Sequence, residues 1–209
     1  KISTMLPEGF QIRPYLPRDE DAVYEICLKT GDSGKDGTHL YDDPKALGHI
    51  YVGPYIHLAP ELAFVVEDKQ GVCGYVMGVL DSKKFYLAYV DKWLPGIRQR
   101  YPEPTGDPAT WTRTQKVFYD YYHPDVFCPE PYDQYPSHLH IDMLPRVQGR
   151  GLGIEMMQVL LKEMAARKTP GVHLGMAPSN SRAEKFYKKL GFHELLRTGD
   201  SLYLGKRFP

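Results

Sequence analysis

The sequence predicts an α/β (α+β) fold in which strands and helices alternate and a hairpin closes the chain. Short runs with an apolar period of two are separated by segments whose apolar residues recur at helical spacing, and Gly, Pro, Asp and Ser gather at the joins. With 209 residues the chain can bury a core without disulfide or metal staples, so one domain over residues 1–209 is expected.

Residues 10–16 alternate apolar and polar and meet Pro17, the pattern of a short strand. Asp19 then offers a cap to a helix in which Ala22, Val23, Ile26 and Cys27 share a face, up to Gly31. The Gly-, Asp- and Ser-rich stretch 31–37 reads as a mobile loop where a substrate enters, and Asp43 with Pro44 starts a helix towards Gly53. Two apolar runs, 63–67 and 72–80, are joined by Asp-Lys-Gln-Gly and should be adjacent antiparallel strands. From 81 to 136 Pro and Tyr become frequent around two helical patterns, 85–101 and 107–121; this is an insertion large enough for a lid. A strand resumes at 138–144. A long helix over 151–168 carries Leu152, Met156, Val159, Leu160 and Met164 on one face. Then come a strand at 172–176, a helix at 181–190 stopped by Gly191, a strand at 192–197, a turn at Gly199 and Asp200, and a last strand at 201–205.

Charge excludes as much as it suggests. Lys plus Arg equal Asp plus Glu at 26 each, so no basic surplus points to nucleic acid or an anionic membrane. No stretch approaches the ~20 apolar residues of a membrane helix, and the N-terminus lacks an apolar signal core. Cys27, Cys73 and Cys128 are far apart and odd in number, which argues against a disulfide framework or zinc site and for a reducing, cytoplasmic setting. A monomer or homodimer is expected. Because the first methionine is Met5, Lys1 to Thr4 are expected to be foreign to the native chain.

The most informative segment is Gln148-Gly-Arg-Gly-Leu-Gly153, between a strand and a helix. Unpaired N–H groups and the positive end of the helix dipole meet there, the conditions for binding a phosphate. Side chains at Gly149, Gly151 or Gly153 would hold a pyrophosphate off the backbone, and Arg146 and Arg150 add charge at the rim. Read alone, the loop fits a tight strand-to-helix turn equally well. A phosphate-loop hydrolase would need Gly-Lys-Ser/Thr here and a dinucleotide site would need its third glycine elsewhere, so neither pattern matches.

Leu144-Pro-Arg-Val-Gln-Gly-Arg-Gly-Leu-Gly153 resembles the Q/R-x-x-G-x-G/A motif of the GNAT N-acetyltransferases, and Asn180-Ser-Arg-Ala-Glu-Lys-Phe-Tyr-Lys-Lys-Leu-Gly-Phe192 resembles their N-x-x-A-x-x-F-Y-x-x-x-G-F block. Ile12, Arg13 and Pro14 followed by Asp19 resemble the usual opening strand and helix, so the likeness covers all but residues 81–136. The long insertion, the His-Leu-His-Ile-Asp-Met strand and the C-terminal block are most similar to the acetyltransferase-like domain at the end of animal O-GlcNAc hydrolases and to its bacterial stand-alone relatives. Some of that group have lost the loop; this chain keeps it.

The resemblance implies a mixed, mostly antiparallel sheet splayed around the cofactor, flanked by helices, with the insertion between strands three and four. It implies acetyl-CoA as cosubstrate, held by Met143, Leu144, Gln148, Gly149, Arg150, Gly151, Leu152, Gly153, Asn180 and Tyr187, with Arg182, Lys188 or Lys189 near the nucleotide 3′-phosphate. It also implies an amine acceptor, a small molecule or a peptide lysine, attacking directly in a ternary complex without a metal. A backbone N–H near Leu144 would stabilise the oxyanion, and Tyr187 would protonate the leaving thiolate. The alternative is a module that binds acetyl-CoA or a peptide and has lost its chemistry.

An alkylammonium must lose a proton before it attacks, and Asp142, His140 and Glu67 are the candidate bases. His138, His140 and Asp142 share one face of their strand; three ligands along a flat strand converge poorly on a metal. Asp142 is equally readable as a buried carboxylate accepting backbone bonds, and His173 as structural. Tyr119, Tyr121, Tyr122, Tyr132 and Tyr135 crowd the insertion, either as an aromatic wall for the acceptor or as packing.

Overall fold

The computed structural model describes residues 5–209; Lys1 to Thr4, expected to be foreign, lie outside the described residues. Strands β1 (Gln11–Pro14), β2 (Ala63–Asp68), β3 (Gly71–Val79), β4 (Ser137–Met143), β5 (Gly171–Met176), β6 (His193–Arg197) and β7 (Leu202–Arg207) form one sheet ordered β1-β2-β3-β4-β5-β7-β6. Every neighbouring pair is antiparallel except β4 and β5, which run parallel and pair only at Ser137 with Val172 and His138 with His173. The insertion lies between β3 and β4, as the resemblance implies.

Local chemistry shifts several boundaries. Helix α1 (Glu20–Lys29) follows a turn at Pro17–Asp19, but Asp19 does not cap it by side chain. The buried Asp19 carboxylate instead accepts from the Leu16 N–H and from both terminal nitrogens of Arg13, at 2.7 and 2.9 Å, while Arg13 also reaches Glu67. A carboxylate held by a half-dry guanidinium gains more there than from a helix N-terminus. The helix expected over 43–53 becomes two short ones, α2 (Gly48–Tyr51) and α3 (Gly53–Leu58), because Val52 leaves helical geometry and Pro54 at the new start brings no N–H to continue the old one.

Within the insertion, α4 (Ser82–Ala88), a wide turn at Tyr89–Trp93 and α5 (Leu94–Arg100) run on from one another. Pro95 has no N–H for the carbonyl four residues back, and the chain widens just before it. The second expected helix starts later, as α6 (Arg113–Tyr122), because Thr112 and Gln115 form a reciprocal capping box there. Helices α7 (Leu152–Ala166) and α8 (Ser181–Lys189) fall close to expectation.

Alternation along β3 sends Tyr75, Met77 and Val79 to one face and Val76 to the other, and the register shift opposite Val66 and Glu67 carries Cys73 to the side of Val76. The first face packs on α1, α3 and the insertion, where Leu94, Ile97 and Tyr121 are all but fully buried. The second packs on the face of α7 formed by Leu152, Met156, Leu160 and Met164. A Cβ at Gly78 would stand 2.5 Å from the Met164 side chain, so α7 can lie this close only over a glycine. Insertion residues therefore fill the same core as the sheet. Leu94→Ala should destabilise the protein by roughly 2–5 kcal/mol and shift one cooperative urea transition seen by far-ultraviolet dichroism. Separate melting of the insertion, with sheet unfolding unmoved, would contradict that shared core.

Candidate active site

The site begins where β4 and β5 part. Leu144 donates its N–H to the Cys73 carbonyl at 2.8 Å, and its carbonyl accepts from Val147. In an antiparallel ladder the main-chain groups alternate sides, so Asp142 faces β3 while Ile141 and Met143 turn towards β5. By then β5 has diverged, and the edge left open is that of Ile141 and Met143. This corrects the expectation for Leu144, whose N–H and C=O are both spent inside the fold and which lines neither cavity described below.

A groove of about 580 Å³ runs along this edge, lined by Met143, Gln148, Gly149, Gly151, Leu152, Gly153, Asn180, Arg182 and Tyr187 among others. Gly149 and Gly151 have φ of 78° and 80°, a conformation that calls for glycine, and a Cβ on either would point into open space. Gly153 differs: its Cβ would press on the Phe186 ring at 3.1 Å, so this glycine serves the approach of α8. Gln148 donates its amide to the Met143 carbonyl at 3.0 Å. Asn180 caps α8 through the Ala183 N–H. Arg150 lies over the Phe10 ring, and Arg146 is paired with Asp68, so neither guanidinium stands in the groove. Lys188 pairs with Glu184; Arg182 is the cation of the expected trio that lines the groove. Loop residues Ser33, Gly34 and Lys35 also line it, so stretch 31–37 borders the groove.

Among the described residues the Tyr187 hydroxyl has no hydrogen-bond partner; its ring rests on Phe186 and Phe192. Burial first, and then the charge of Asp142, push its pKa up and keep it protonated. Asp142 accepts from the Tyr75 hydroxyl at 2.7 Å, yet burial raises its pKa to about 6. Glu67 stands away, held by Arg13 and lining neither cavity.

His140 and His138 belong to a chain of bonds with one sense. Ser82 Oγ donates to the Pro136 carbonyl at 2.7 Å and so must accept from His138 Nδ1 at 2.6 Å. His138 Nε2 then accepts from the Tyr55 hydroxyl at 2.8 Å, and the Tyr55 oxygen accepts from His140 Nε2–H at 2.7 Å. His140 Nδ1 is left with its lone pair. Burial pushes the His140 pKa down to about 4 and that of His138 well below its usual value, so both are neutral at pH 7. Tyr55, Tyr75 and Ser82 carried no sequence signal, being 56 to 85 residues from the histidines or aspartate they hold.

His138 and His140 line a second cavity, of about 510 Å³, nearer the start of β4 than the groove bordered by Ile141, Asp142 and Met143. Its walls are Tyr51, Tyr55, Tyr86, Tyr89, Tyr132 and Tyr203, with Asp120 and Asp125 exposed at the mouth. Of the five insertion tyrosines that the sequence left between an aromatic wall and packing, Tyr132 alone lines the cavity. Tyr121 is core and donates to the Ala46 carbonyl, Tyr122 donates to the Arg98 and Tyr101 carbonyls, Tyr119 stacks on His123, and Tyr135 meets His193. His173 donates Nδ1–H to the Tyr135 carbonyl at 2.6 Å. Burial raises the pKa of Cys27, Cys73 and Cys128, which leaves each a poor nucleophile. No group of three His, Cys, Asp or Glu side chains placed to hold a metal is found among the described residues, and no described helix is long and apolar enough to cross a membrane.

Comparison with known proteins agrees with this geometry. Residues 134–199 match the family described as FR47-like protein, the span from β4 through the glycine loop to β6. The crystal structure of SsHAT superposes with a TM-score of 0.88 and 40% identity over 95% of this chain and 98% of that one. Protein O-GlcNAcase of Rattus norvegicus is 30% identical over 189 residues, 90% of this chain; the chain spans only 20% of that relative's length. At 14% identity, yncA from Salmonella typhimurium, solved with its cofactor acetyl-CoA, shares the fold with a TM-score of 0.55 over 96% of this chain and 94% of its own.

The Asp142 environment predicts an unusual pH dependence of stability. A carboxyl whose folded pKa rises from 3.8 to about 6 binds protons more tightly folded than unfolded, so its stabilising effect is complete at low pH and is lost as pH climbs through about 6. Asp142→Asn should therefore melt higher than the parent at pH 8, by roughly 1–2 kcal/mol, with the gain fading below pH 4. Thermal melts at both pH values check this; equal melting points at pH 8 would contradict it.

Proposed function

The chain belongs to the GNAT acetyltransferase family, and from that premise we propose that it is an acetyl-CoA-dependent N-acetyltransferase, passing the acetyl group straight to an amine. One observation carries the reading: the glycine loop, the Ile141 and Met143 edge that has no sheet partner and Tyr187 lie along one groove, with a second cavity further back along the same strand.

In this reading the loop amides at the start of α7 take the pyrophosphate, assisted by the helix dipole. The open main-chain edge pairs with the extended arm of the cofactor, and an N–H of Ile141 or Met143 meets the developing oxyanion, a contribution of several kcal/mol where such donors are fixed in advance. The acceptor amine enters from the second cavity. His140 Nδ1, neutral and with its lone pair free, takes the proton the amine must shed. The other nitrogen of that ring is fixed by Tyr55, so the base cannot present the wrong tautomer. On the thiol side Tyr187 gives its proton to the leaving sulfur, and the Asp142 charge keeps that proton on the phenol until it is needed.

Gly151→Glu should abolish acetyl-CoA binding in calorimetry, since a carboxylate would occupy the phosphate position and a side chain would strain a backbone at φ 80°. Unchanged affinity with an intact dichroism spectrum would move the cofactor elsewhere. Tyr187→Phe should lower kcat roughly ten- to ten-thousandfold, with little change in affinity, and the fall should shrink with an acyl donor whose thiol leaves more easily. Tight acetyl-CoA binding with no thiol release on any amine would instead mark a module whose chemistry is lost.

A further inference from the structure

The second cavity carries more information than the acceptance of an amine. Among the described residues no Lys or Arg lines it, while Asp120 and Asp125 stand at its mouth and Asp200 lies on its wall. Asp120 has its pKa raised by partial withdrawal from water first and by the charge of Asp125 second, against a smaller opposing pull from His123. Deeper in, two histidine nitrogens are acceptors. His140 Nδ1 has its lone pair, and His173, which donates through Nδ1, presents Nε2 likewise.

The decisive atom is the Tyr132 hydroxyl. Tyr132 is only 4% exposed, its ring stacks on His173 at 3.6 Å, and its oxygen has no hydrogen-bond partner among the described residues. A buried hydroxyl left unpaired costs on the order of 1–3 kcal/mol, and such groups are few in native folds. The Tyr132 side chain is part of the cavity wall.

A wall of acceptors, tyrosine faces and acidic groups, without a cation, complements a ligand that is rich in N–H donors and positively charged. The two ends of the cavity differ. At the His140 end the amine must be neutral to attack; at the mouth the Asp pair favours a charge. Tyr51 spans the interval, its ring in edge contact with His140 and its hydroxyl within the field of Asp120 and Asp125.

We propose that this cavity selects a short aliphatic diamine, one nitrogen delivered to His140 for acetylation and the other retained as an ammonium by Asp120, Asp125 and the Tyr132 hydroxyl. The inference rests on the acetyltransferase reading. The balance is simple: the neutral nitrogen forms the N–C bond, the C–S bond breaks, the amine proton goes to His140, and the thiolate is protonated. The second ammonium takes no part in bond making. Its role is to hold the chain so that the free end reaches the thioester, which leaves a monoacetylated product still cationic at the far end.

The test compares three acceptors of similar length: putrescine, butylamine and γ-aminobutyrate, whose second end is respectively cationic, apolar and anionic. Thiol release from acetyl-CoA should give putrescine a kcat/KM roughly tenfold or more above butylamine, with γ-aminobutyrate lowest, the scale of one charge-assisted contact. Asp120→Asn combined with Asp125→Asn should remove most of that preference; both residues are exposed, so folding should survive. Tyr132→Phe keeps the stacked ring and should weaken putrescine binding in calorimetry. Butylamine or γ-aminobutyrate matching putrescine, an unchanged preference in the double variant, or a lysyl peptide outpacing the diamine would each overturn the proposal. Calorimetry with acetyl-CoA alone separates the two levels: if it does not bind, the acetyltransferase reading fails, and putrescine binding still decides the cavity.

Discussion

Everything at the candidate site depends on the parting of two parallel strands. β4 and β5 share two residue pairs and then separate, which leaves backbone donors and acceptors of Ile141 and Met143 without a sheet partner. Unpaired main chain inside a fold is costly unless water or a ligand satisfies it, so a protein keeps such an edge where something is meant to lie. Gln148 already satisfies one group, the Met143 carbonyl, from the loop that follows. The strand end and the glycine loop are thereby tied together.

The same parting explains how one strand serves two cavities. Side chains alternate along β4, and so do its main-chain groups. His138 and His140 look into the aromatic cavity, while the backbone of Ile141 and Met143 opens on the groove. Asp142 belongs to the histidine face of the strand but lies far enough along it to line the groove and act on Tyr187. His140 and the carboxylate that acts on Tyr187 are thus separated by position along a single rigid element, which holds them better than two loops would.

The insertion supplies what the sheet cannot. Ser82 orients His138, and Phe85, Tyr86 and Tyr89 wall the cavity. The same helices complete the core against β3. A segment that is both core and cavity wall transmits packing defects directly to the site, since side chains in a dense interior have few ways to yield.

The local features were legible from the sequence because each depends on a few neighbouring residues. Hydrophobic period marked α7, a turn signal marked the β2 and β3 hairpin, and glycine spacing marked the loop whose φ values proved positive at Gly149 and Gly151. The shared face of His138, His140 and Asp142 followed from strand alternation alone. The tertiary structure decided what depends on contact between distant residues. It set Tyr55 between two histidines more than 80 residues away, placed Tyr132 on the cavity wall and Tyr121 in the core, and gave Gly153 to Phe186. It also turned Ile141 and Met143, instead of Leu144, towards the open edge, because that choice belongs to the register with β3. A sequence pattern records which residues prefer burial and which backbone they allow; which partner each meets is fixed only when the sheet has its register and the helices have packed on it.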